Sequence, residues 1–135
     1  MAAERTLAII KPDAVEKNLI GKIIAQLEEA GFVVRNMRMI RLSEAEARRF
    51  YAVHAERSFY DSLVRFMTSG RCVPIVLERE SAVSALRETI GATDPARAAT
   101  GTIRSLFAES VERNAIHASD SLDNASREIE FFFPE

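Results

Sequence analysis

Residues 6–42 read TLAIIKPDAVEKNLIGKIIAQLEEAGFVVRNMRMIRL, and the changes of apolar period inside them set the fold class. Thr6 to Ile10 is almost continuously apolar and runs out into Lys11, Pro12 and Asp13, the pattern of a short buried strand that ends in a turn. Ile20, Ile23, Ile24 and Leu27 then recur at i, i+3, i+4 and i+7, with Gly31 placed to stop them, which predicts an amphipathic helix. From Phe32 to Leu42 the chain is rich in Val, Ile and Met, and Met37 and Met39 alternate with Asn36 and Arg38. A long strand with one wet face is expected there.

The order strand, helix, strand continues toward the C-terminus after a pair of helices. Ser43 and Glu46 have the spacing of a capping box, and Ala47, Phe50, Tyr51 and His54 follow at helical intervals. Phe59, Leu63, Phe66 and Met67 predict a further helix, stopped by Ser69 and Gly70. Val73 to Leu77 is a strand in which Pro74 cannot donate to a ladder, so an edge or bulged position is expected. Ser81 is placed to cap a helix with Val83, Leu86 and Ile90 on one face and Gly91 at its end. Residues 91–102, GATDPARAATGT, form a loop long enough to suggest function. Asn114 to Ala118 is a short strand, and Asp120 is placed to cap a last helix with Ala125, Ile129 and Phe132 inward and Glu128 one position off that stripe.

This alternation predicts an α/β sandwich, one sheet covered by helices, and is compatible with a split βαβ, ferredoxin-like arrangement. Periodicity alone leaves other α/β layouts open. At 135 residues the chain has the length of one domain, 1–135, with neither a repeat nor a linker. Apolar residues at 47% and charged residues at 28% exclude a disordered chain, and a net charge of -2 supplies no field that would favour nucleic acid or an anionic membrane. The single Cys72 cannot form an internal disulfide and reads as a small buried hydrophobe. MAAERTLAII lacks the apolar core of a signal peptide, and no segment approaches the roughly 20 apolar residues of a membrane span, so a cytoplasmic protein is expected.

Polar side chains at strand ends, at helix starts and in the long loop are the candidates for chemistry: Lys11, Tyr51, Arg87, Thr93, Arg104, Asn114, His117 and Glu128. Three cations, two hydroxyls, an amide and an imidazole suit an anionic ligand, and a phosphate ester is the natural one. Neutral imidazole is also a competent nucleophile, and a carboxylate such as Glu128 on its second nitrogen would fix the tautomer. By residue type alone, however, His117 reads more readily as a hydrogen-bonded structural histidine, His54 still more so, Tyr51 as a core residue and Arg87 as a solvated helix face. Two histidines and one cysteine at wide spacing suggest no metal cage, and neither a P-loop nor a G-x-G-x-x-G turn is present.

NAIHASDS at 114–121 resembles the active-site segment of the nucleoside diphosphate kinases, whose usual form is Asn, any residue, an aliphatic residue, His, Gly, Ser, Asp. ERTLAIIKPDAV at 4–15, IGKII at 20–24, FYAVHAER at 50–57, FMTSG at 66–70 and GATDPARAATGTIR at 91–104 resemble that family in the same order, so the likeness covers essentially the whole chain. The resemblance implies a ferredoxin-like βαββαβ fold with an antiparallel sheet covered by helices. It implies that His117 takes the γ-phosphoryl group of a nucleoside triphosphate and passes it to a nucleoside diphosphate in a ping-pong cycle, with Glu128 and Ser119 orienting the imidazole. Lys11, Tyr51, Arg87, Thr93, Arg104 and Asn114 would bind the phosphates and the ribose hydroxyl. Phe59 would stack on the base with Val111 on its other side, which gives low base specificity. Mg²⁺ is expected to arrive with the nucleotide phosphates, and a homo-oligomer, a tetramer or a hexamer built from dimers, is expected. A non-catalytic nucleotide-binding module is the alternative, and an intact nucleophile with its carboxylate argues against it.

Four departures from the family pattern carry their own expectations. Ala118 stands where Gly is usual; it would be strained if that backbone needs φ > 0, but it adds only a methyl group and is expected to be tolerated. Ser58 replaces the usual Pro between Arg57 and Phe59 and would free the backbone of the cleft. Arg71, Cys72 and Pro74 replace a more usual Gly-Pro-Val-Val type of run, and the chain ends at Glu135 without a longer tail.

Overall fold

The computed structural model describes residues 3–134; the expectation attached to Glu135 lies outside the described residues. Four strands, β1 (Glu4–Ile10), β2 (Val33–Met37), β3 (Val73–Arg79) and β4 (Ile116–Ala118), form one sheet in the order β2-β3-β1-β4. All pairings are antiparallel, and β1 runs against β3 from Glu4↔Arg79 to Ile10↔Val73. Among the described residues seven α-helices accompany them: α1 (Pro12–Glu16), α2 (Ile20–Glu29), α3 (Glu44–Phe50), α4 (Tyr60–Met67), α5 (Ala82–Ile90), α6 (Ile103–Phe107) and α7 (Leu122–Phe132). This is the ferredoxin-like α/β sandwich, with the α3–α4 pair inserted between β2 and β3.

The continuous apolar run of β1 follows from its central place, because both faces of the strand are covered. Ala8 and Ile10 pack with Ile23 and Leu27 of α2 and Leu86 and Ile90 of α5. Leu7 and Ile9 pack on the other face with Phe50 of α3, Val64 and Met67 of α4 and Phe132 of α7. Each fully buried Leu or Ile contributes about 1.5–3 kcal/mol over leaving it in water. The periods read for α2, α4, α5 and α7 therefore correspond to real faces. At the start of α3 both halves of the capping box are formed, Ser43 Oγ accepting from Glu46 N and Glu46 Oε1 from Ser43 N.

Several expectations need correction. Pro74 is neither on an edge nor in the bulge: β3 lies between β2 and β1. Pro74 O accepts from Arg38 N, but proline has no N–H to return, and regular β2 pairing stops at Met37, leaving only an isolated bridge between Ile40 and Cys72. The long strand 32–42 is thus cut short by its partner. The register shift falls in β2, between Val34 and Asn36. Asp120 does not cap α7; Ser121 does, its Oγ accepting from Asn124 N. Ser81 precedes α5 in a left-handed conformation without a capping bond. The helix read through His54 ends at Phe50 and is followed by a 3-10 turn, Ala52–His54. The turn read after β1 is helix α1, and α6 was not anticipated. Cys72 is fully buried, and burial pushes its thiol up to about 12.

Candidate active site

Alternation along β4 decides where His117 points. Ile116 and Ala118 enter the core beside α2 and α5, so His117 faces the opposite side, toward α3 and α7. There its ring meets Phe50 edge-on at 5.6 Å and Tyr51 at 6.3 Å. Glu128 reaches it from α7, with Nε2 to Oε1 at 2.8 Å. The same Oε1 accepts from Ser119 Oγ at 2.7 Å, and Ser119 is fully buried behind the pair. A carboxylate only accepts, so Nε2 carries the proton and the lone pair of the neutral ring lies on Nδ1.

A second group gathers at the C-terminal end of β1. Lys11 Nζ donates to Asn114 Oδ1 at 2.8 Å, and Asn114 Nδ2 donates to Thr93 O at 3.2 Å, which ties the 91–102 loop to the sheet. Arg104 of α6 donates to Gly91 O at 3.0 Å and Ile116 O at 2.7 Å. Burial, then the positive charge of Arg104, lowers Lys11 to about 8, against the opposing pull of Asp13 and Glu112. Burial, then the charge of Arg87, lowers Arg104 to about 10. Among the described residues no carboxylate is bonded to either Lys11 or Arg104, and these cations crowd one another, an arrangement that an anion would relieve. The Tyr51 hydroxyl is also buried with no partner among the described residues, and burial raises its ionisation well above the ordinary tyrosine range.

The two groups share a cleft of about 470 Å³, and every site residue named from the sequence except Ser119 lines it. Phe59 and Val111 stand exposed on it. Phe50, His54, Glu112, Asp120, Asn124 and Arg127 also line it and were not anticipated. The position of Asp120, three residues after His117, was the available signal. Asp120 Oδ1 accepts from Asn124 Nδ2, whose own oxygen receives Arg127, so a polar chain runs along α7 at the cleft.

Ala118 is tolerated as expected, since it is an ordinary β4 residue paired with Ala8 and its φ is not positive. Strain falls instead on Ala115, with φ 74°, where Ile116 N donates back to Asn114 O at 2.9 Å in a tight turn. Gly91, at φ 91°, has a separate reason to be glycine: a Cβ there would fall 2.5 Å from Thr102 Oγ1.

The family described as "Nucleoside diphosphate kinase" matches residues 4–135. A protein of that name from Salinibacter ruber is 54% identical over 135 residues, covering 100% of this chain and 95% of the relative. Another from Anaeromyxobacter sp. is 58% identical over 135 residues, covering 100% and 92%. Among solved structures, the Aquifex aeolicus nucleoside diphosphate kinase superposes with a TM-score of 0.95 at 46% identity, over 98% of this chain and 96% of the other. The Halobacterium salinarum nucleoside diphosphate kinase in complex with CDP does so with a TM-score of 0.95 at 39% identity, over 99% and 90%. With a histidine that lines a cleft beside Lys11, Arg87 and Arg104, and with likeness of this depth over its whole length, the chain belongs to the nucleoside diphosphate kinase family, phosphotransferases that move a γ-phosphoryl group through a phosphohistidine.

Proposed function

We propose that His117 Nδ1 is the atom that attacks the γ-phosphorus of a nucleoside triphosphate. The bond from that phosphorus to the bridging β–γ oxygen breaks, the nucleoside diphosphate leaves, and a phosphohistidine remains. A terminal oxygen of a second nucleoside diphosphate then attacks the phosphorus and frees the ring. Glu128 holds the Nε2 proton and steadies the positive charge that the ring gains, and Ser119 holds Glu128. The observation that supports this most is the bond from His117 Nε2 to Glu128, because it leaves one ring nitrogen for the reaction.

Lys11, Arg87 and Arg104 supply positive charge to the phosphates, and Tyr51, Thr93 and Asn114 hydrogen-bond to phosphate or ribose oxygens. Phe59 and Val111 take the base between them, by contact with its faces rather than its edges, so bases are accepted with little discrimination. Mg²⁺ would arrive with the nucleotide and would offset the charge of the phosphates during transfer, while Lys11, Arg87 and Arg104 supply the chain's own positive charge. Asp120, on the same cleft, would add a carboxylate near the ion that accompanies the phosphates. Residues 1–135 act as one domain, in the cytoplasm, within a homo-oligomer, tetramer or hexamer, built from dimers.

Incubation with γ-labelled ATP should give an acid-labile, base-stable phosphoprotein that discharges onto GDP. His117→Ala should remove the label entirely. A label that survives in that variant would sink the reading, and nucleotide binding without any label would make the chain a binding module.

A further inference from the structure

Asp13 is fully buried in α1, belongs to neither group described above and contacts the one strained residue beside His117. Its Oδ2 accepts from Ala115 N at 3.1 Å, while the backbone N–H of Lys11 donates to Ala115 O at 2.9 Å. Both polar atoms of a residue at φ 74° are therefore held by the segment that follows β1. Alanine at such a φ is disfavoured and persists only where its surroundings impose it. The tight turn around Ala115 places Asn114, which holds Lys11 Nζ, on one side and the strand carrying His117 on the other. Burying Asp13 raises its carboxyl above the ordinary range, and its second oxygen has no partner among the described residues, so this acid is a costly way to fill core volume.

We propose that Asp13 is a positioning residue for phosphoryl transfer: by accepting from Ala115 N it imposes the positive-φ turn that sets His117 relative to Asn114 and Lys11. The inference rests on His117 as the nucleophile. It makes glycine at 115 a specific remedy, because glycine takes positive φ freely and needs no clamp.

The test compares turnover of ATP with a nucleoside diphosphate, per folded site, in Asp13→Asn, Asp13→Leu and Asp13→Leu with Ala115→Gly. Asn keeps an acceptor oxygen and should stay within about threefold of the parent, whereas Leu should lower kcat by about 10 to 100-fold with KM changed less than about threefold. Adding Ala115→Gly should recover at least about fivefold of that loss, and solubility if the single variant lacks it. A purely structural Asp13 would lower the thermal midpoint yet leave kcat per folded site unchanged. The proposal is overturned if Leu leaves kcat near the parent value, if Asn is as impaired as Leu, or if glycine restores neither turnover nor folding. A parent chain that takes no phosphoryl label would instead defeat the reading of His117.

Discussion

The two edges of the sheet are opposites. At β4 the strand is three residues long, its backbone turn is held by Lys11 and Asp13, and its one reactive side chain is fixed by Glu128 and Ser119. At β2 the strand is longer but loosely set: its register shifts, its ladder fails at Pro74, and Val33 and Met37 are 47% and 46% exposed. An edge with unpaired backbone and open apolar side chains invites another strand, and proteins that do not use such an edge usually blunt it with charge. The contrast shows one sheet divided by task. The edge that carries the reactive side chain is short and buttressed, and the other edge is longer, irregular and open, with Arg35 the charged residue on the strand.

If the β4 edge depends on its polar buttress, substitutions there should cost the most. Glu128→Gln removes the charge that steadies the imidazole and should lower kcat about 100-fold with little change in KM. Ser119→Ala removes one neutral donor, worth about 1 kcal/mol, and should cost about fivefold. Stopped-flow measurement of phosphohistidine formation checks both, and equal losses would contradict the arrangement.

The next effect is on pH. Lys11 releases its proton at about 8 in the folded chain, below its ordinary 10.5. The free enzyme therefore loses this positive charge as pH rises through about 8, and kcat/KM for nucleotide should fall there. Stability should move the other way: between about 8 and 10.5 the unfolded chain binds more protons than the folded one, so folding gains with pH, and below 8 the buried charge costs stability. Lys11→Met should remove both slopes in parallel kinetic and thermal-melt titrations.

The smallest effect on chemistry should come from the other edge. Met37→Lys should shift the solution mass toward smaller species, read by light scattering, while turnover per site stays within about threefold. A loss as large as that of Glu128→Gln would erase the division between the edges.

The helices and central strands were legible in the sequence because apolar period reports burial, and β1, α2, α5 and α7 bury the face their period marks, as do Leu63, Phe66 and Met67 of α4, while Phe59 precedes that helix and stands on the cleft. What failed was non-local. The end of β2 is set by a proline lying opposite it in β3, some 36 residues away (Pro74 against Arg38), so no local pattern in 32–42 could show it. The cap of α7 passed from Asp120 to its neighbour Ser121, because Asp120 turns instead toward Asn124 and the cleft. The cleft residues matched by family likeness came together, but Asp13 and Ala115 did not stand out. Their significance is one hydrogen bond across a gap in sequence and one backbone angle, and neither leaves a trace in residue type.

The 91–102 loop has a further consequence. Its ends meet where Gly91 lies against Thr102, Arg104 grips Gly91 O, Gln26 grips Gly101 O and Asn114 grips Thr93 O. Arg97, at its exposed crown, lies outside all of these ties. The ties that place Thr93 and Arg104 thus lie at the two ends of the loop, apart from the 3-10 turn Pro95–Arg97 at its crown, so a nick at Arg97 is expected to open that turn and to leave the end ties in place.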